Sequence, residues 1–263
     1  MFLDLTGESV ALLTLVALLA GVIDAIVGGG GLVQLPFLLA VLPGFGTATP
    51  LGVNKAVSAL GNLSSAAVYW RRNPGTRVDV RLLAWSGTVA VAGAVAGALV
   101  AASLSVQTLR PVVIAVLVAV LWLVVSGRLA RTAQAGPAPA PGRRTRLPLT
   151  AASGAIGLYD GVVGPATGSF LLLAHQRVLR RSLVDSLGTA KAIQCCMNLG
   201  GAAVLLSAGP TSWPLIALLG LANTAGSALG ARLTLRHGDA LVRTVLVLAV
   251  LATVGKLAHD QWS

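Results

Sequence analysis

The chain has 263 residues, 56% of them hydrophobic and only 10% charged, with a mean hydropathy of +0.85. Soluble domains carry about 25% charged residues, so this composition excludes an ordinary soluble domain. The formal net charge of +11 comes with only 4% aromatic residues, and the arginines sit in short loops between apolar segments. That pattern fits loops facing a cytoplasm and argues against a nucleic-acid binder.

The first apolar segment, Val10–Val27, is preceded by Asp4 and Glu8. A cleaved signal peptide carries a positive start, so this segment is expected to stay in the membrane. Further apolar segments follow at Leu32–Leu42, Leu51–Trp70, Leu82–Leu104 and Pro111–Ser126. A second series runs through Pro148–Val163, Ser169–Ala174, Leu183–Ser207, Trp213–Leu235 and Leu241–Ala258. Most are long enough to span as helices. Between the two series, residues 128–147 hold GPAPAPGRR and several further arginines, which predicts a solvated cytoplasmic linker rather than a helix. The expected organisation is a first transmembrane repeat over 1–127, the linker, and a second repeat over 148–263.

The two series share a motif. Gly21–Gly31 reads GVIDAIVGGGG and Gly157–Gly168 reads GLYDGVVGPATG. Asp24/Asp160, Gly28/Gly164, Gly52/Gly188, Lys55/Lys191 and Asn62/Asn198 all stand 136 residues apart. Runs such as Gly28–Gly31, or Gly164 to Gly168 with its proline, cannot continue a regular helix. Fifteen of the 19 Lys and Arg residues lie in four loop clusters. If each break lets the chain run on, those clusters divide between two sides. If each break turns the chain back as a re-entrant hairpin, each half makes three full crossings, the second half is inverted, and all fifteen fall on one side. The positive-inside rule favours the second arrangement. The fold expected is therefore an all-α integral membrane protein of about eight membrane helices in two inverted repeats, each with a glycine-broken or re-entrant first segment.

Lys55 and Asn62 lie seven residues apart on one helix face, and Lys191 and Asn198 repeat the stripe. A lysine at the bilayer centre costs at least about 2.5–3.5 kcal/mol on insertion scales, so two at equivalent places point to an anion. The alternative is that each snorkels to the nearest headgroup. Asp24 and Asp160 are open to three roles: carrying a coupling proton, pairing with a lysine of the opposite half, or bonding backbone freed by the break. Backbone amides at Gly28, Gly29, Gly30, Gly31, Gly164 and Gly168, with the hydroxyls of Thr167 and Ser169, are candidate donors to a small oxyanion. Gly93/Gly97 and Gly226/Gly230 read as close-packing positions between helices. Cys195 and Cys196 read as small apolar fillers, without a disulfide. No metal-ligand spacing joins His175, His237 and His259, and there is no Walker A motif or nucleophile–base pattern. Neither a metal, a cofactor nor an enzymatic activity is expected.

The duplicated G-x-x-D motif with its glycine break, followed downstream by G-x-x-K-x-x-x-x-x-x-N, resembles the sulfite exporter TauE/SafE family, the toluene sulfonate uptake permeases. The resemblance covers almost the whole chain. It implies a secondary carrier of sulfite, thiosulfate or an organosulfonate in the bacterial inner membrane, with Lys55, Lys191 and the glycine breaks forming the anion path. The second break, Gly-Pro-Ala-Thr-Gly, departs from the first, so the halves are not equivalent. Proton coupling through the aspartates and a homo-oligomeric state are open on this reading. Two other readings stand beside it: a carrier of a cation or other small solute using the paired aspartates, and a non-transporting membrane scaffold.

Overall fold

The computed structural model describes residues 5–72, 80–104, 143–164, 166–179 and 182–262. Its helices are α1 (Gly7–Val27), α2 (Gly30–Val41), α3 (Ala48–Arg72), α4 (Val80–Ser103), α5 (Arg143–Val162), α6 (Thr167–Leu179), α7 (Leu183–Ser207) and α8 (Trp213–Trp262). A short 3₁₀ turn, Pro43–Phe45, joins α2 to α3. Gly238 breaks α8 into two limbs at φ 67°, matching the two apolar segments expected there. The segment Pro111–Ser126, Arg110, Arg77, Arg180, Arg181, Asp4 and most of the Pro/Arg linker lie outside the described residues.

One boundary differs from the sequence reading. The linker was expected to run to residue 147, but α5 begins at Arg143. Arg and Leu are good helix formers, and Pro148 removes only one backbone bond near the start of the helix.

The helices repeat. α1, α2 and α3 correspond to α5, α6 and α7 in order and in length. Each half opens with a hairpin. Gly28 ends α1 in the left-handed region (φ 77°), its N–H bonded to Asp24 O at 2.7 Å. α2 then folds back, so that Leu38 and Leu42 pack with Leu13 and Ala17. The second break has Gly164 at φ 89° in the equivalent place. The breaks thus reverse the chain.

Contacts fix the directions of the rest. Val53 and Val57 of α3 join the cluster around Leu13, while the Tyr69 hydroxyl donates to Ala25 O at 2.8 Å, so α1 and α3 run parallel. Gly52 faces Leu205 and Leu206, Gly201 faces Lys55, and Gly188 faces Tyr69 and Trp70, so α3 and α7 run antiparallel. Two equivalent helices crossing in opposite senses are related by a pseudo-two-fold axis perpendicular to them, which makes the halves inverted.

The outer helices pair across the halves, α1 along α8 and α4 along α5. These pairs use the expected small-residue positions. A Cβ on Gly226 or Gly230 would meet the carbonyl of Leu18 or Val22, and one on Gly93 or Gly97 that of Gly154 or Leu158. Gly161 sits equally close, its Cβ position 2.2 Å from Ala94 O. Gly161→Leu should therefore pry α4 from α5 and destabilise the protein by about 1–3 kcal/mol or more. Gly7→Leu, with no atom within 4 Å, should change little. Thermal unfolding of the two variants in detergent checks this.

Burial separates centre from rim. α3 and α7 are rich in buried polar side chains, whereas Leu15, Leu19, Leu63, Leu221 and Leu229 stand exposed on outward faces. Such an apolar exterior belongs against lipid. α1, α4, α7 and the first limb of α8 are each long and apolar enough to cross a membrane. One end of the molecule gathers Arg71 and Arg72 at the end of α3, Arg81, Arg146 and Arg177. Arg232 and Arg236 of α8 join them. At the opposite end Thr47 Oγ1 donates to Leu104 O (3.2 Å) and Thr49 Oγ1 to Pro210 O (3.0 Å). The turns at that end, residues 42–47 and 208–212, carry neither Lys nor Arg. This is the one-sided charge distribution expected for hairpin breaks.

Candidate functional site

Both break lysines are only 1% exposed. Neither snorkels. Lys55 leaves α3 and reaches the second half, with Nζ 2.7 Å from Asp160 Oδ2 and also bonded to the main-chain carbonyl of Asp160. Lys191 leaves α7 and reaches the first half, with Nζ 2.9 Å from Asp24 Oδ2. The exchange is reciprocal: each half supplies a lysine from its long central helix and an aspartate from the last turn of its hairpin's first arm.

The two cages differ in detail. Asp24 Oδ1 accepts from the Gly30 N–H (3.1 Å) and from Gln194 Nε2 (3.4 Å), and Gln194 Oε1 accepts from Lys191 (2.9 Å). Asp160 Oδ1 accepts from the Thr167 hydroxyl at 2.9 Å, an oxygen that also lies 3.0 Å from Gly164 O. A buried pair is tolerable when further hydrogen bonds support it, and in each pair the ammonium makes a second bond while the other carboxylate oxygen accepts at least one.

The glycines of the breaks have distinct places. Gly28 and Gly168 touch each other, a Cβ on either falling within 2.4 Å of the other's Cα. The hairpins therefore cross where no side chain fits. Gly29 caps α2, Gly30 donates its N–H to Asp24, and Gly31 lies in the first turn of α2. The N-terminus of α2 thus already faces an anion, the protein's own Asp24 carboxylate. Gly164 lies beside Lys55, whose Nζ is 3.4 Å from where a Cβ would stand. Thr167 opens α6, and Ser169, whose hydroxyl bonds Val27 O, ties α6 to the end of α1.

Asn62 is fully buried, and neither polar atom of its side chain has a hydrogen-bond partner. A buried amide left unpaired is costly. Asn198 is buried at the equivalent position of α7.

Sequence reasoning passed over Gln194, although it lies three residues beyond Lys191 on the same helix face, the spacing at which side chains meet. It also passed over Asn223 and Ser227 on α8. Asn223 Nδ2 donates to Ala17 O (2.9 Å) and Ser227 Oγ to Gly21 O (3.2 Å), and Asn223 meets Gln34 of α2 at 3.4 Å. Polar residues four apart in an apolar helix were the available signal.

Residues 13–257 match the model of the sulfite exporter TauE/SafE family. The chain belongs to the TauE/SafE family. It is 30% identical over 247 residues to the probable membrane transporter protein YfcA of Escherichia coli K12, spanning 93% of this chain and 88% of that one. It is 30% identical over 260 residues to the probable membrane transporter protein ORF9 of Sinorhizobium sp., spanning 98% and 95%. A probable membrane transporter protein of Haemophilus influenzae is 29% identical over 266 residues, spanning 98% of both chains. No solved structure matches. Membership in TauE/SafE, together with the apolar exterior, makes this chain a multi-pass membrane protein of a transporter family.

Proposed function

We propose that the protein is a secondary transporter that carries a small sulfur-containing anion (sulfite, thiosulfate or an organosulfonate) across the bacterial inner membrane by alternating access. The arginine-bearing end faces the cytoplasm by the positive-inside rule. The observation that carries the reading is the reciprocal exchange of buried lysines between inverted halves. A charge inside a membrane is kept where it serves an ion path, and an inverted pair of halves can present one site to either side in turn. The anion competes with Asp160 or Asp24 for an ammonium group, and the unpaired Asn62 amide supplies neutral hydrogen bonds. Each aspartate already faces a lysine of the opposite half, an arrangement suited to an anion rather than to a cation held between two carboxylates.

The test is uptake of labelled sulfite into proteoliposomes holding the purified full chain. Saturable uptake, competed by thiosulfate or an organosulfonate and above that of empty vesicles, is expected. Uptake equal to empty vesicles, or competition by divalent cations alone, overturns the proposal.

A further inference from the structure

We infer that Asp160, and not Asp24, takes up the proton that accompanies the anion. This rests on the transport reading above and deepens it, because the halves are chemically unequal at their equivalent carboxylates.

Asp24 is surrounded by hydrogens. Its partners are the Gly30 backbone N–H, the Gln194 amide nitrogen and the Lys191 ammonium. A backbone N–H donates only, an ammonium donates only, and the accepting oxygen of Gln194 is turned to Lys191. A proton added to this carboxyl meets no acceptor among these partners. Asp24 is built to stay ionised and to hold Lys191 and the start of α2 in place.

Asp160 has a partner that can change roles. The Thr167 hydroxyl carries one hydrogen and lies within reach of two acceptors, Asp160 Oδ1 at 2.9 Å and Gly164 O at 3.0 Å. With the carboxyl ionised, the hydroxyl donates to Oδ1. When a proton from water adds to Oδ1, the hydroxyl turns to Gly164 O and accepts the new O–H on its own lone pair. No covalent bond other than the new O–H changes. Lys55 keeps its bond to the main-chain carbonyl of Asp160, so the ammonium stays in position while its side-chain partner loses charge. The pair passes from neutral to +1, and a monovalent oxyanion arriving at Lys55 returns it to neutral. One proton and one anion thus load together.

The groups around Asp160 support the assignment. α3 brings Lys55, α6 brings Thr167, and Tyr159 adjoins it on its own helix. Arg81 of α4, His175 and Arg177 of α6, and Asp185 of α7 lie toward the arginine-bearing end, and Arg81 precedes the cluster of Leu82, Leu149 and Leu179. On α7, Lys191 is held by Asp24, and Cys196 faces Gly87 beside Cys195.

Infrared difference spectra of the full chain in lipid, taken on acidification, test this. The band to follow is the carbonyl stretch of a protonated acid that survives brief deuteration, which marks a buried carboxyl. The wild type should show it, Asp160→Asn should lack it, and Asp24→Asn should keep it. Thr167→Val should move the band to higher frequency, as the acid loses its hydrogen bond, and Thr167→Ser should restore it. In uptake of a labelled organosulfonate, a monoanion throughout this range, the ratio of rates at acidic and neutral pH should fall to about one in Asp160→Asn and stay above one in Asp24→Asn. A wild type without the band, a band that survives Asp160→Asn, or one lost in Asp24→Asn overturns the inference. If Asp160→Asn does not fold, a band untouched by Thr167→Val overturns it equally. Sulfite uptake without an Asp160 band refutes this inference alone, whereas absent uptake refutes the transport reading and leaves the spectra to decide the proton site.

Discussion

Lys191→Met is expected to destabilise the protein by about 3–5 kcal/mol, the usual consequence of removing one partner from a buried ion pair. Asp24 would remain at 4% exposure with only Gly30 N–H and the Gln194 amide as partners, a negative charge with no countercharge. The double variant Lys191→Met/Asp24→Asn should regain most of the loss, because asparagine still accepts from Gly30 and carries no charge. Thermal unfolding of the purified variants measures both, and a single variant as stable as its parent would refute the argument. This modifies what the sequence alone suggested. Two lysines kept free for a solute could be removed without harm to the fold, but lysines that neutralise aspartates cannot. Flux must therefore be compared in the charge-neutral double variant, where its loss reports the missing cation rather than a weakened protein.

Gly28→Ala should prevent the protein from reaching its native form. Two costs combine there. The backbone sits at φ 77°, where a side chain costs about 1–2 kcal/mol. The added methyl would also stand 2.3 Å from Gly168 Cα and its carbonyl carbon, so the two hairpins would have to separate. Gly46→Ala tests a positive φ without any clash, since Gly46 has φ 65° and ψ −164°, a region open essentially to glycine alone, and no atom within 4 Å of its Cβ position. That variant should be monodisperse in detergent with stability lowered by about 1–3 kcal/mol, while Gly28→Ala should aggregate or express poorly. Similar elution profiles for the two would mean that the hairpin crossing tolerates a side chain.

Much of this was legible in the residues. The 136-residue spacing located both halves, and the glycine runs located both hairpins, because lost helix propensity is a local property. The charge clusters chose the direction of the chain after each break, since the positive-inside rule acts on loops that can be read one by one. The site was legible as a set of residues but not as a set of partners. Lys55 with Asp160 and Lys191 with Asp24 are separated by 105 and 167 residues, and only the antiparallel crossing of α3 and α7 decides which aspartate each lysine meets. The difference between the cages was hidden for another reason. Thr167 and Gln194 look like ordinary polar residues until the direction of each hydrogen bond is known. The early start of α5 escaped because proline-rich composition masked five residues of adequate helix propensity.

The crossed lysine–aspartate pairs also bear on how the chain enters the bilayer during synthesis. Lys55 emerges from the ribosome more than a hundred residues before Asp160, and Asp24 waits longer still for Lys191. Until the second half is threaded, neither charge of the first has its final partner, and both must find shelter from lipid. Neither half contains both members of either pair, so the crossed bonds close only when the last-made partner arrives.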